Sequence, residues 1–171
     1  FLYEDCGDSG DGWTFGKLVN DLVYRGPGAR VSTAIAEDGV LRTVFRVERE
    51  FDLPERMDRR TGWRSAARTT LRVTDLIYVE KGAPCVRVRT HIANTCEDHR
   101  FRVLFPTCVD TPVSFAETPF AVVERAIGIP PETAGWHERV NPEKAFTSFF
   151  GVQDERGGLA VLGPKGLHEY E

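Results

Sequence analysis

No run of this 171-residue sequence approaches the roughly 20 apolar residues that a bilayer-spanning helix needs. Membrane insertion through a helix is therefore not expected, and no signal peptide is visible. Positive charge is not in excess either: 22 Lys and Arg face 26 Asp and Glu, for a net charge of −4 and a pI near 5.6. A field of that sign attracts neither nucleic acid nor an anionic membrane. The four cysteines form no Cys-x-x-Cys pair, and a domain of this size does not need disulfide staples. Reduced thiols and a cytoplasmic location are expected. Four histidines occur without His-Glu-x-x-His or other zinc spacing, so no metal site is expected in this chain. Gly-x-Ser-x-Gly, phosphate-loop and dinucleotide fingerprints are absent, and so is the usual Asn-x-Ser/Thr sequon. No stretch has the 3.6-residue apolar period of an amphipathic helix.

What remains is strand. Residues 86–105 read VRVRTHIANTCEDHRFRVLF. Val86, Val88, Thr90 and Ile92 alternate with Arg87, Arg89 and His91; Phe101, Val103 and Phe105 alternate with Arg100 and Arg102. A period of two sends one row to a core and the other to water. The polar residues 94–98 suit a hairpin loop, so the two arms are expected to pair as a central ribbon. That geometry places His91 and His99 across from one another. A second hairpin is expected about Asp38-Gly39, with Leu41, Thr43, Phe45, Val47 and Phe51 on one face and Arg42, Arg46, Glu48 and Glu50 on the other. Leu71, Val73, Ile77 and Val79 are in phase along another strand, and the last hairpin turns at residues 154–158. Residues 54–62 read as a charged loop or one helical turn, 106–117 as irregular chain broken by Pro112, and 128–141 as an irregular excursion. About ten strands with glycine turns predict an all-β antiparallel sandwich occupying residues 1–171 as a single domain. The arginines at 56–60 and 87–102 read as a solvated face rather than a phosphate track.

Candidate chemistry is sparse. Asp8-Ser9-Gly10-Asp11-Gly12 superficially suggests a calcium loop, but the EF-hand spacing fails and no bidentate Glu closes it. Aspartates bonding local backbone N–H groups are the simpler alternative. A third reading presents Asp11 and Trp13 at a sugar cleft, because carboxylates bond hydroxyls and indoles stack on sugar faces. Trp63 and Trp136 are further platforms, with core or rim packing the competing role. A retaining glycosidase needs two carboxyl groups about 5–5.5 Å apart, and spacing alone selects no such pair among 26 acidic residues.

Four ordered stretches carry a resemblance. They are Glu4-Asp5 with Gly10-Asp11-x-Trp13-x-Phe15; Asn94-x3-Asp98-x-Arg100-x-Arg102-x2-Phe105; Ser114-Phe115-Ala116-Glu117-x-Pro119-Phe120-x-Val122-x-Glu124-Arg125; and Gly158-Leu159-Ala160-Val161 with Gly166-Leu167-x-Glu169-Tyr170-Glu171. Together they resemble the C-terminal β-domain of glycoside hydrolase family 38, the α-mannosidases of bacterial type. The resemblance implies a galactose-mutarotase-like supersandwich and a retaining, zinc-dependent exo-mannosidase as the parent enzyme, and a homo-oligomeric parent is expected. It also implies that nucleophile and zinc ligands lie in an N-terminal catalytic barrel of the same polypeptide, so that no catalytic residue, metal ligand or cofactor is expected in this chain. The first motif implies a loop at the active-site face, usually Gly-Asp-Glu-Tyr in the family, with Gly12 and Trp13 here at the Glu and Tyr positions. Asp11 and Trp13 are accordingly the expected carbohydrate contacts. A chain opening at Phe1 without Met reads as a fragment or processed product, truncated at its C-terminal side, and an incompletely covered sheet or open edge is expected of it.

Overall fold

Alternation along the chain is converted into fifteen strands in a computed structural model, which describes all residues except Gly12, Trp13, Val19, Asp21, Pro130, Glu138, Arg139, Asn141, Pro164, Lys165 and Leu167. In chain order these are β1 (Leu2–Gly7), β2 (Tyr24–Arg25), β3 (Arg30–Asp38), β4 (Arg42–Pro54), β5 (Met57–Asp58), β6 (Trp63–Arg64), β7 (Arg68–Glu80), β8 (Arg87–Ala93), β9 (His99–Leu104), β10 (Val113–Thr118), β11 (Ala121–Ala126), β12 (Lys144–Phe146), β13 (Phe149–Asp154), β14 (Gly157–Leu162) and β15 (His168–Tyr170). Two 3₁₀ turns, Gly26–Gly28 and Pro131–Gly135, complete the regular structure among the described residues. Every strand pairing is antiparallel, as expected of an all-β fold.

Chain contacts divide into two units, Phe1–Phe105 and Pro106–Glu171. In the first, a four-stranded sheet in the order β3-β4-β7-β8 carries a three-stranded sheet β2-β1-β9. The Asp38-Gly39 hairpin forms as expected, with a bulge between Ile35 and Glu37. Register puts Phe45, Val47, Arg49, Phe51 and Leu53 of β4 opposite Ile77, Asp75, Val73, Leu71 and Thr69 of β7, on one face. The other face is a charge ladder in which Glu50 accepts from Arg30 (3.3 Å) and Arg72 (2.9 Å), and Glu80 pairs with Arg87 (2.6 Å). Of the arginines expected on a solvated face, Arg87 lies on this ladder, whereas Arg100 and Arg102 lie on β9 in the other sheet, Arg100 over the Phe15 ring and Arg102 against the buried Glu4.

Phe51, Leu53, Leu71 and Val73 are at most 2% exposed. Tyr3 of β1 and Phe101 of β9, stacked at 5.4 Å, cover them, and Phe51 meets both rings edge-on. Aromatic pairs of this kind add about 0.5–1.5 kcal/mol beyond the area they bury. Where this cover ends, the buried carboxylate of Asp75 accepts hydrogen bonds from Tyr3 (2.8 Å), Thr90 (2.6 Å) and the Arg49 guanidinium. Burial, with the charge of Asp75, pushes the Tyr3 phenol above its ordinary value.

The expected central hairpin of residues 86–105 does not exist. β8 pairs with β7, placing His91 opposite Thr74, while β9 pairs with β1, placing His99 opposite Gly7. β8 finds in β7 a 13-residue partner, longer than the six residues of β9, and all six residues of β9 pair with β1. In the connection Asn94 Oδ1 accepts the Cys96 N–H, Glu97 N–H donates to the distant Glu55 carbonyl, and Asp98 adopts a left-handed φ of 50°. Residues 54–62 also differ from expectation, because β5 and β6 make a small hairpin there.

The second unit pairs β11-β10-β13-β14, and the ribbon β12-β15 supplies Phe146 and Tyr170 against Phe150, whose ring stacks on Tyr170 at 4.3 Å. Tyr170 Oη and Ser114 Oγ are 3.0 Å apart. Here the irregular chain expected before residue 117 is corrected: β10 forms beyond Pro112, because Val113–Thr118 find β11 on one side and β13 on the other.

None of the four cysteines forms a disulfide; Cys6 and Cys96 are buried and Cys85 and Cys108 exposed. Burial and then the Asp5 carboxylate push the Cys96 thiol up. Titration with an aromatic disulfide reagent is therefore expected to count two thiols in the native chain and four in denaturant. A third fast native thiol would contradict this packing.

Candidate functional site

The acidic loop between β1 and β2 is built from glycines and self-bonding aspartates. Asp8 Oδ1 accepts the N–H groups of Gly10 and Gly16, both at 2.8 Å, and Ser9 N–H donates to Gly16. Gly10 has to be glycine, since a Cβ there would lie 1.6 Å from the Thr14 carbonyl oxygen. Asp11 is exposed, and its Oδ1 accepts the Thr14 N–H at 2.8 Å. The local-turn reading of these aspartates is what the structure contains. Trp13 lies outside the described residues.

The base of the loop is wired to β9 and to the β5–β6 hairpin. Asp8 N–H donates to the Asp98 carbonyl (2.9 Å), Met57 N–H to the Asp98 carboxylate (3.3 Å), and the Arg100 guanidinium lies 3.5 Å over the Phe15 ring. Beneath them sits a buried polar chain that spacing could not reveal. Asp5 is fully buried; one carboxylate oxygen is 2.5 Å from Arg64 Nη1 and the other 2.5 Å from His99 Nδ1, while His99 Nε2 is 3.1 Å from Asn94 Oδ1. Arg64, only 4% exposed in its side chain, also lies over the Tyr24 ring. One residue earlier, Glu4 binds Arg25 (2.8 Å) and Arg102 (2.6 Å).

Burial alone would raise the Glu4 carboxyl, but the hydrogen bonds from Arg25 and Arg102 prevail and hold it below its ordinary value of 4.5. A depressed carboxylate contributes its stability above the unfolded value and loses it as pH falls through the lower folded value. Glu4→Gln is expected to lower the urea midpoint at pH 7 and to flatten the loss of stability below pH 4.5. Equal acid sensitivity in both proteins would refute the assignment.

Among the described residues no group of three His, Cys, Asp or Glu is placed to hold a metal ion. The arrangement nearest in chemistry, Asp5 with His99, does not fit zinc, because Arg64 already neutralises that carboxylate and Asn94 closes the other ring nitrogen. Trp63, on the hairpin beside this wiring, is 54% exposed, and Trp136, in the other unit, is 63% exposed. Neither is a core residue.

These contacts join the first two sequence motifs to each other: Glu4 to Arg102, Asp5 through His99 to Asn94, and Phe15 to Arg100. The profile of the glycosyl hydrolases family 38 C-terminal domain matches residues 1–165. The chain belongs to that family. A candidate mannosylglycerate hydrolase of Halalkalibacterium halodurans is 28% identical over 99% of this chain and 20% of that protein. Crystal structures of an α-mannosidase and of a second family 38 protein, both from Enterococcus faecalis, align with TM-scores of 0.83 and 0.73. Identity to them is 24% and 21%, over 99% and 96% of this chain, and they establish the fold. The family 38 domain thus spans about a fifth of the length of the relatives it matches. Among its described residues, no helix is long and apolar enough to cross a membrane.

Proposed function

We propose that this domain is the non-catalytic C-terminal β-domain of a larger α-mannosidase-type glycoside hydrolase, with a cytoplasmic location and an N-terminal zinc-dependent barrel as its intramolecular partner. The observation that carries the reading is the family match along residues 1–165 in a chain spanning a fifth of its relatives. The buried carboxylates support it, since Glu4, Asp5 and Asp75 are each engaged by arginine and buried away from any substrate. In this reading the loop of Asp11 and Trp13 completes the sugar cleft, and the Asp98, Arg100 and Phe15 contacts position it. The reduced thiols are in keeping with cytoplasm. Assembly of the parent into a homo-oligomer is part of the same proposal.

Aryl α-mannosides test it. With zinc added, residues 1–171 alone are expected to give no turnover, and clear turnover would sink the reading. In the complete enzyme, Trp13→Ala is expected to raise KM about 2- to 10-fold, the worth of a lost aromatic contact, and Asp11→Ala to act in the same direction. A second reading, autonomous carbohydrate binding, is favoured by the half-exposed Trp63 on its anchored hairpin. Calorimetry with mannose oligosaccharides separates the two, because binding by residues 1–171 that disappears in Trp63→Ala supports the second.

A further inference from the structure

Three side chains of the unit Phe1–Phe105 meet in its interior in an order that fixes where their hydrogens lie. Asp5 has no exposed surface, and the side chains of Arg64 and His99 are only 4% and 5% exposed. His99 presents Nδ1 to one carboxylate oxygen of Asp5 at 2.5 Å and Nε2 to Asn94 Oδ1 at 3.1 Å. Turning the ring over would put carbon atoms against both oxygens, so the contacts allow one orientation. The Asn94 amide is fixed as well, since its Oδ1 also accepts the Cys96 N–H at 3.0 Å. Asn94 therefore offers His99 an acceptor. Asp5 offers another: its second oxygen faces Arg64 Nη1 at 2.5 Å, and a carboxylate paired with a guanidinium accepts only. A neutral imidazole has one hydrogen to give and one lone pair to place. Two acceptors facing one ring require two hydrogens.

We propose that His99 is an imidazolium, and that this buried cation is the positioning residue of the acidic loop. Arg64, Asp5 and His99 then form a cation–anion–cation row across β6, β1 and β9. Such a row adds little to stability, because desolvating the charges offsets their attraction; its best-attested use is to fix register. What it fixes here is next in the chain. Asp98 precedes His99 with φ 50°, its carbonyl accepts the Asp8 N–H at 2.9 Å and its carboxylate the Met57 N–H at 3.3 Å. A ring held from both nitrogens thus sets the point to which the β1–β2 loop and the β5–β6 hairpin are attached. The two ring hydrogens follow from the contacts; the positioning role rests on the reading of that loop as part of a sugar cleft.

Nuclear magnetic resonance of residues 1–171 labelled with 15N-histidine detects the hydrogens directly, with the exposed His91 as comparison and His99→Gln to assign the signals. At pH 7 His99 is expected to carry a slowly exchanging hydrogen on each ring nitrogen, and one bare nitrogen would overturn the inference. Asn94→Asp supplies an independent sign. An aspartate still accepts from Cys96 and from an imidazolium, so the urea midpoint is expected to hold or rise. A fall to the level of Asn94→Ala would mean that the amide donates to a neutral ring, which overturns the inference too. In the protein encoded by the complete open reading frame, His99→Gln is expected to raise KM for an aryl α-mannoside several-fold at unchanged kcat. If Trp13→Ala raises KM and His99→Gln does not, the positioning role falls and the sugar-cleft reading stands. If neither variant moves KM, both fall.

Discussion

Asp5→Ala is expected to destabilise the domain by about 3–5 kcal/mol, the cost of removing one partner of a buried ion pair. The reason is geometric. Arg64 has a side chain only 4% exposed, and its Nη1 lies 2.5 Å from Asp5 and 3.4 Å from the Leu22 carbonyl. Deleting the carboxylate leaves a guanidinium in a low-dielectric site and takes the acceptor from His99 Nδ1 as well. Asp5→Asn keeps the volume but removes the charge, and should recover only part of the loss. Combining Asp5→Asn with Arg64→Met replaces the pair by neutral groups, and is expected to be clearly more stable than Asp5→Ala. Urea unfolding followed by near-ultraviolet circular dichroism checks the series. An unchanged midpoint in Asp5→Ala would show that the network is not buried in solution.

The second large effect is a cavity. Leu71 has no exposed surface and lies in the cluster formed by Phe51, Leu53, Val73 and Tyr3. Leu71→Ala removes three carbons from a site whose neighbours are fixed on two strands and under an aromatic pair, so collapse can fill little of the void. A loss of about 3 kcal/mol follows from the usual range for such truncations. The adjacent Thr70 points to the charged face and is exposed, so Thr70→Ala should shift stability by less than about 0.5 kcal/mol. Similar losses for the two variants would contradict the assigned faces.

Both effects come from parts of the chain that differ in how far sequence reveals them. Leu71, Val73, Ile77 and Val79 declare a shared face by their period of two, and the Asp38-Gly39 turn declares its hairpin, because each is a property of neighbouring residues. The partners of β8 and β9 could not be declared this way. Both arms alternate, and a polar five-residue connection would fit a hairpin between them. What decides is that β8 pairs with β7 and β9 with β1, partners specified elsewhere in the chain. The acidic loop falls between: glycines and aspartates announced a turn, while its attachment through Asp98 and Arg100 depended on strands far away in sequence.

The sequence by itself determined that this protein is all-β, that it carries an arginine-rich solvated face, and that its ordered motifs resemble a family 38 domain. Those conclusions rest on local alternation, turn chemistry and composition. Only the tertiary structure decided that residues 86–105 split between two sheets and that Asp5, Arg64 and His99 meet in one buried chain. Each of these joins groups separated by many residues, and such pairings are chosen by the burial of apolar surface and the neutralisation of buried charge across the whole fold.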